Sequence, residues 1–232
     1  DAEWIFGVPG PCDASGPERT PNLPGQWDWT DLGTLLTQQD IPYCFENDAN
    51  LAALGMAHET PEPPEYLLGV TLGTGIGGGI VMDGSLYRGS TGAAAEWGHL
   101  TLRSDGRRCN CGKTGCFETY ASARGLEQTY REQTGDSLSA REIAQLNSKA
   151  ARESVHRTGR YLGEGLASIT NVLNPDRIVL AGGLAGSFEL FRDELRTTFE
   201  QMVFAESAER TPIDSCERDH PALHGGLALS LE

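Results

Sequence analysis

The chain has 232 residues, enough to bury a sizeable core as one large domain or two small ones, and its 38% hydrophobic and 22% charged content excludes a disordered chain. Acidic side chains outnumber basic ones 33 to 18, for a net charge of −15. That field disfavours non-specific binding to nucleic acid or to anionic membrane surfaces.

In chain order, residues 3–8 read as a strand stopped by Pro9–Gly10–Pro11, and residues 11–28, rich in proline, glycine and polar side chains, as a long loop. Asp31–Gln39 reads as a short helix with Leu32, Leu35 and Leu36 on one side. Pro42–Phe45 reads as a strand leading into Glu46–Asn47–Asp48, and Asn50–His58 as a small-residue helix. The Pro/Glu-rich stretch Glu59–Glu65 is a candidate domain boundary. Tyr66–Leu72 is a buried-type strand. Gly73–Thr74–Gly75 turns the chain into a second strand, Gly77–Met82, and Asp83–Gly84 is a hairpin signal. Residues 105–116 form a Cys/Gly loop. Ala151–Leu173 is an amphipathic helix, with Val155, Leu162, Leu166, Ile169 and Leu173 at helical spacing, ending before Pro175. Arg177–Ala181 is a strand running into Gly182–Gly183. A second amphipathic helix begins near Ser187 with Phe188, Phe191, Leu195, Phe199 and Met202 on one face. Strands alternating with helices argue for an α/β architecture.

The longest uncharged stretch, Tyr66–Met82, holds six glycines and two threonines, too many for a membrane span. Asp1–Ala2–Glu3 lacks the basic start of a signal peptide. The compartment is read as reducing cytoplasm. The chain opens without a Met directly into a strand, and the expectation is a longer native protein.

Cys109, Cys111 and Cys116 have the spacing C-x-C-x4-C, with His99 ten residues upstream. Zinc favours four tetrahedral ligands of this kind, and cysteines two apart do not easily meet disulfide geometry. A closed set of three thiolates and an imidazole makes the metal structural, not a water activator. Spacing alone leaves His99 open as the fourth ligand. Cys12, Cys44 and Cys216 are isolated and read as ordinary buried residues.

Asp48, between a strand and a helix, either caps the helix or projects into a cleft as a proton acceptor; spacing alone favours the cap. Gly73–Gly79 is either a phosphate-holding turn, with the Thr74 hydroxyl as an added donor, or a tight hairpin. It is neither a Walker A loop nor a Rossmann fingerprint. Gly182–Gly183 either lets an adenine lie on the backbone or is an ordinary strand-to-helix turn.

Taken together, Gly7-Val-Pro-Gly10-Pro, Pro21-Asn22-Leu-Pro-Gly-Gln-Trp27, Glu46-Asn-Asp48-Ala-Asn-Leu-Ala-Ala-Leu-Gly55, Leu72-Gly-Thr-Gly75-Ile-Gly, Asp83-Gly-Ser-Leu-Tyr-Arg-Gly89, Glu96-Trp-Gly-His99 and Cys109-Asn-Cys-Gly-Lys-Thr-Gly-Cys116-Phe-Glu118 resemble the ROK family of repressors and sugar kinases. The resemblance implies a two-domain actin-like ATPase (ribonuclease H-like) fold, with a small domain of 1–58 plus 221–232 and a large domain of 59–220 carrying the zinc loop, 99–118. It implies transfer of phosphate from ATP, with Mg²⁺, to a hexose, glucose first and an N-acetylhexosamine as the alternative, with Asp48 as the general base. Asn22, Asn47, Glu96, His99 and Glu118 would hold the sugar, His99 also binding zinc. Gly73, Thr74 and Gly75 would face the phosphates, and Gly182 and Gly183 the adenosine. A homodimer or homotetramer is implied, and a sugar-sensing regulator is the rival function. Three departures stand out. The family's opening Asp-x-Gly-Gly-Thr turn is absent, Ala95 stands where glycine is frequent, and Met56 where glutamate is frequent. Ala95 is expected to disturb the pocket if its backbone needs a positive φ.

Overall fold

The computed structural model describes residues 3–13, 16–17, 29–59 and 63–231. In chain order the elements are β1 (Trp4–Val8), β2 (Cys12–Asp13), β3 (Gly16–Pro17), α1 (Trp29–Gln38), β4 (Tyr43–Asn47), α2 (Asp48–Ala57), β5 (Tyr66–Leu72), β6 (Ile76–Met82) and β7 (Ser85–Leu86). There follow a 3₁₀ turn at Trp97–His99, α3 (Glu118–Ala121), α4 (Ala123–Thr134), α5 (Ala140–Gln145), α6 (Lys149–Leu173) and β8 (Arg177–Ala181). Last come a 3₁₀ turn at Ala185–Ser187, α7 (Phe188–Met202), α8 (Ala205–Arg210), β9 (Ile213–Ser215) and α9 (Pro221–Leu229). The α/β character read from the sequence holds. Where a continuous loop was expected over 11–28, β2 and β3 pair antiparallel. Among the described residues, no helix is long and apolar enough to cross a membrane.

The chain divides into two compact units: residues 1–70, 78–95 and 217–232 form the first, and 71–77 with 96–216 the second. The sequence-based expectation places 59–70, 78–95 and 217–220 with the larger domain instead.

In the first unit, β1 and β4 pair in parallel from Trp4 opposite Tyr43 to Val8 opposite Asn47. Val8, Cys12 and Phe45 form a buried cluster, with Phe6, Leu32 and Tyr43 packed on it. A second group of strands runs in the order β7–β6–β5. Asp83 and Gly84, both at positive φ, make the tight β6–β7 turn that their sequence signals.

Helix α2 is buried on every side from Ala49 to Ala57, which its run of Ala, Leu and Gly permits. A Cβ on Gly69 of β5 would lie 2.5 Å from the Ala53 methyl, and one on Gly79 of β6 would lie 2.7 Å from it. On the other side α9 crosses at backbone contact. A Cβ on Gly55 would meet the Pro221 carbonyl oxygen at 2.0 Å, and one on Gly225 would meet the Leu51 carbonyl oxygen at 1.8 Å.

The second unit holds the end of β5 (71–72), the start of β6 (76–77), and β8 and β9, which pair in parallel. Helices α6 and α7 pack through Gly159 against Phe191 and through Gly163 against Leu195. Val155, Leu162, Leu166 and Ile169 are buried as their spacing predicts, as are Phe188, Phe191, Leu195 and Phe199. Leu173 and Met202, at the helix ends, are exposed instead. Helix α6 stops at Asn174, whose left-handed conformation caps it before Pro175.

Candidate active site

In the first unit, the candidate residues gather where β4 hands over to α2. The N-cap is Asn47: its Oδ1 accepts from the Ala49 and Asn50 amides at 2.9 and 3.0 Å, and its Nδ2 donates to the Gly10 carbonyl at 3.1 Å. Asp48 is therefore the first helical residue and not the cap, so its carboxyl is spared the duty that spacing had assigned to it. That carboxyl reaches water at the surface while packed protein behind it removes part of its hydration. This desolvation raises its pKa above the ordinary value, against the lowering pull of the Ala49 and Asp48 backbone N–H groups. Asn47 has its oxygen committed to the cap, and keeps one amide hydrogen beyond its bond to Gly10.

The second unit holds the Cys/Gly loop. Cys109 N–H donates to the Lys113 carbonyl at 2.8 Å and Gly112 N–H to the Cys109 carbonyl at 3.0 Å, forming a knuckle. Gly115 adopts φ +76, and a Cβ there would fall 1.5 Å from the Arg103 carbonyl oxygen, so only glycine fits. The ligand atoms of His99, Cys109, Cys111 and Cys116 all lie within 4.8 Å of one another. Cys111 Sγ is 3.6 Å from Cys116 Sγ, and Cys109 Sγ is 3.8 Å from His99 Nδ1. Ligands about 2.3 Å from a tetrahedral zinc stand about 3.8 Å apart, so donor set and spacing both fit such an ion. The geometry brings in His99, which spacing had left open. Burial pushes the Cys109 and Cys116 thiols up. Burial also works against ionising Cys111, but the Lys113 amide and the neighbouring thiols outweigh it, and its pKa is lowered. A bound dication would stabilise all three as thiolates.

Glu118, the first residue of α3, sits beside this cluster. Its Oε1 accepts from Cys109 Sγ at 3.2 Å and lies 3.9 Å from His99 Nδ1. Its Oε2 makes a long 3.4 Å bond with the Ile76 amide. A Cβ on Gly75 would come 2.5 Å from that oxygen, so the glycine turn and Glu118 need each other's shape. Glu96 Oε2 stands 3.9 Å from His99 Nε2, and both residues reach the surface. The 3₁₀ turn that carries His99 is tied down by Trp97 Nε1, which donates to the Gly77 carbonyl at 3.2 Å.

The glycine turn is itself pinned: Gly73 N–H donates to the Gly75 carbonyl, and the Ala123 amide to the Gly73 carbonyl, each at 3.0 Å. Thr74 is exposed, and among the described residues nothing lies within 4 Å of where a Gly73 Cβ would be. Gly182, at φ +98, packs on the Leu72 carbonyl, and among the described residues nothing lies within 4 Å of where a Gly183 Cβ would be. The two glycine turns thus lie at one end of the sheet, beyond the carboxyl ends of β5 and β8, a common place for ligands in α/β sheets. Open backbone at both suits a nucleotide and its phosphates. Asn22 lies outside the described residues.

Sequence reasoning missed two groups. Arg107, its side chain only 8% exposed, donates to the Thr119 and Gly125 carbonyls, Thr129 and Glu132, and its guanidinium lies 4.8 Å over the Tyr120 ring. It ties the cysteine loop to α3 and α4. Glu46, buried before Asn47, pairs with Arg88 at 2.6 Å. Neither partner lies near enough in sequence for any periodic pattern to show it.

The ROK family profile matches residues 6–232. The chain is 35% identical over 194 residues to a glucokinase of Halalkalibacterium halodurans, covering 75% of this chain and 59% of that protein. It is 31% identical over 212 residues to the xylose repressor of Bacillus subtilis, covering 88% and 54%. It is 36% identical over 245 residues to an N-acetyl-D-glucosamine kinase of Photobacterium profundum, covering 98% and 80%. The chain therefore spans less than two thirds of the length of the first two. Among solved structures, a glucokinase of Streptomyces griseus in complex with glucose and AMPPNP superposes with a TM-score of 0.85 at 27% identity, covering 99% of this chain and 81% of that one. The two-domain actin-like ATPase fold expected from the sequence is the fold of these relatives.

Proposed function

Because the chain belongs to the ROK family, we propose that its protein is a sugar kinase that transfers the γ-phosphoryl group of ATP to a hexose, glucose first. The observation that carries this reading is the Asp48 carboxyl: it stands at the start of a buried helix whose cap is another residue, and its pKa is raised toward that of a useful base. Asp48 takes the proton of the sugar hydroxyl. The hydroxyl oxygen then forms its bond to the γ-phosphorus in line as the bond to the ADP oxygen breaks. Asn47, Glu96, His99, Glu118 and Asn22 hold the remaining hydroxyls. Gly73, Thr74 and Gly75 hold the phosphates, and Gly182 and Gly183 lie against the adenosine. Mg²⁺, when bound with ATP, offsets the phosphate charge. Zinc, held by His99, Cys109, Cys111 and Cys116, keeps His99 and Glu118 in place and takes no part in the chemistry.

The division into a small domain, 1–58 plus 221–232, and a large one, 59–220, remains part of the proposal, as do a cytoplasmic location and a homodimer or homotetramer. Partners are hexose and ATP, with no nucleic acid or membrane.

The test is ATP-dependent phosphorylation by the native protein across a hexose panel including N-acetylglucosamine, alongside Asp48→Asn. Loss of turnover with sugar binding retained supports the base role. The xylose repressor relative favours a second reading, a sugar-sensing regulator. Sugar binding by wild type without turnover on any hexose would decide for it.

A further inference from the structure

Resting on the reading of Asp48 as the base, we infer that Glu46, gripped by Arg88, is a positioning residue that fixes the Asn47–Asp48 turn in its reactive place. Glu46, the last but one residue of β4, is only 3% exposed, so it is too enclosed to touch a ligand. A carboxylate this buried is costly unless it is fully bonded, and its bonds go to three different parts of the first unit. Oε1 accepts from the Asn47 amide and from Asn50 Nδ2, each at 2.8 Å, and Oε2 accepts from Arg88 Nε at 2.6 Å. Two of these partners stand on either side of Asp48, one just before it and one in the first turn of α2.

Asn50 cannot swing away from this grip. A Cβ on Gly79 would stand 2.9 Å from the Asn50 Cα and 3.0 Å from its Oδ1, so β6 closes directly over the amide. Among the described residues Asn50 Oδ1 has no hydrogen-bond partner, and the Glu46 bond orients this buried side chain.

Arg88 reaches Glu46 from outside, its side chain 44% exposed. Its own backbone is held in turn: the Ala94 amide donates to the Arg88 carbonyl at 3.2 Å, and Gly92, at φ +72, leaves no room for a Cβ against the Cys12 carbonyl. The result is a brace running from the loop after β7, through Glu46, to both sides of Asp48, while the Asp48 carboxyl itself takes no part in it. Reacting groups must be held to about 0.5 Å, and a misplacement of about 1 Å costs on the order of 100-fold in rate. A brace of this kind therefore acts mainly on turnover; binding, which Asn47 shares with Glu96, His99, Glu118 and Asn22 in the proposed reading, changes little.

The experiment compares Glu46→Gln, Arg88→Gln and Arg88→Lys in the native protein, with kcat, KM for glucose and ATP, and sugar affinity by calorimetry, all per folded molecule. The expected result is a fall in kcat of about 10- to 100-fold in both Gln variants, with KM and sugar affinity within about twofold, and partial recovery of kcat in Arg88→Lys. A loss of stability with kcat per folded molecule unchanged would mean that the brace only holds the fold, and would overturn the inference. So would an equal rise in KM and loss of sugar affinity. If Glu46→Gln does not fold, the more exposed Arg88 decides: unchanged kcat in Arg88→Gln refutes the role. Full turnover by Asp48→Asn is the separate outcome that removes the underlying reading.

Discussion

Gly225 and Gly226 are adjacent in α9, yet alanine at the two positions should have opposite effects. At 225 the new methyl would lie 1.8 Å from the Leu51 carbonyl oxygen and 2.9 Å from the Gly55 amide nitrogen, both main-chain atoms of α2. Backbone in a helix cannot rotate aside, so the helices must part, and the upper end of the overpacking range, about 3 kcal/mol, applies. The gain in helix propensity returns about 1 kcal/mol, leaving Gly225→Ala about 2 kcal/mol less stable. At 226 the nearest atoms belong to Ile5 at 3.9 Å, an ordinary contact, so Gly226→Ala should gain up to about 1 kcal/mol. Urea unfolding of both variants measures the difference, about 3 kcal/mol between neighbours. Equal midpoints for the two would refute the reasoning, because propensity alone treats them alike.

Further outcomes follow from the same geometry. Ala95 sits at φ +65, a region costly for any residue with a Cβ, so Ala95→Gly should stabilise by about 1 kcal/mol in the same assay. Raised activity in that variant would tie the strain to the pocket. Metal analysis should find one zinc per chain, and a chelator or Cys116→Ser should lower the melting temperature; a metal-free protein that melts normally would rule the site out. Asp48 has a raised pKa, so its base form is lost as pH falls through a value above the ordinary carboxylate range. The acid limb of kcat/KM should lie there, and wild type and Asp48→Asn should converge in rate below it. The same shift makes protonated Asp48 the form favoured by folding. Its small destabilising effect is absent below the ordinary value and complete above the raised one, so Asp48→Asn should be no less stable at neutral pH. Arg107→Ala should cost on the order of 2 kcal/mol, read by thermal melting, since the Thr119 and Gly125 carbonyls lose a charged donor.

The sequence was most legible where burial writes a simple pattern. Tyr66–Leu72 and Arg177–Ala181 appear at the ends predicted for them, because strands covered on both faces read as apolar runs. The helices of 118–145 were not assigned. They are short and mostly polar, and two of them are defined by their caps, Ser122 on α4 and the Ser139–Glu142 capping box on α5. That box was readable as Ser-x-x-Glu. The cysteine spacing announced a cluster that fits a metal, whereas His99 needed coordinates to join it. Asp48 illustrates the limit: local spacing argued for a cap, the family resemblance argued for a base, and only the Asn47 bonds show which residue does the capping. Arg107–Glu132 and Arg88–Glu46 lie 25 and 42 residues apart, and charges so separated carry no signature in one sequence.

Where helix α2 crosses α9 it does so main chain to main chain, and where it meets β5 and β6 at Gly69 and Gly79 it presents the Ala53 methyl, which restricts what substitutions this wall behind Asp48 can accept. An interlocked core of larger side chains can be rewritten by compensating changes of volume. A contact between two backbones offers no such currency, since no smaller residue than glycine exists to absorb an enlargement opposite. Mutational drift in this wall should be close to frozen.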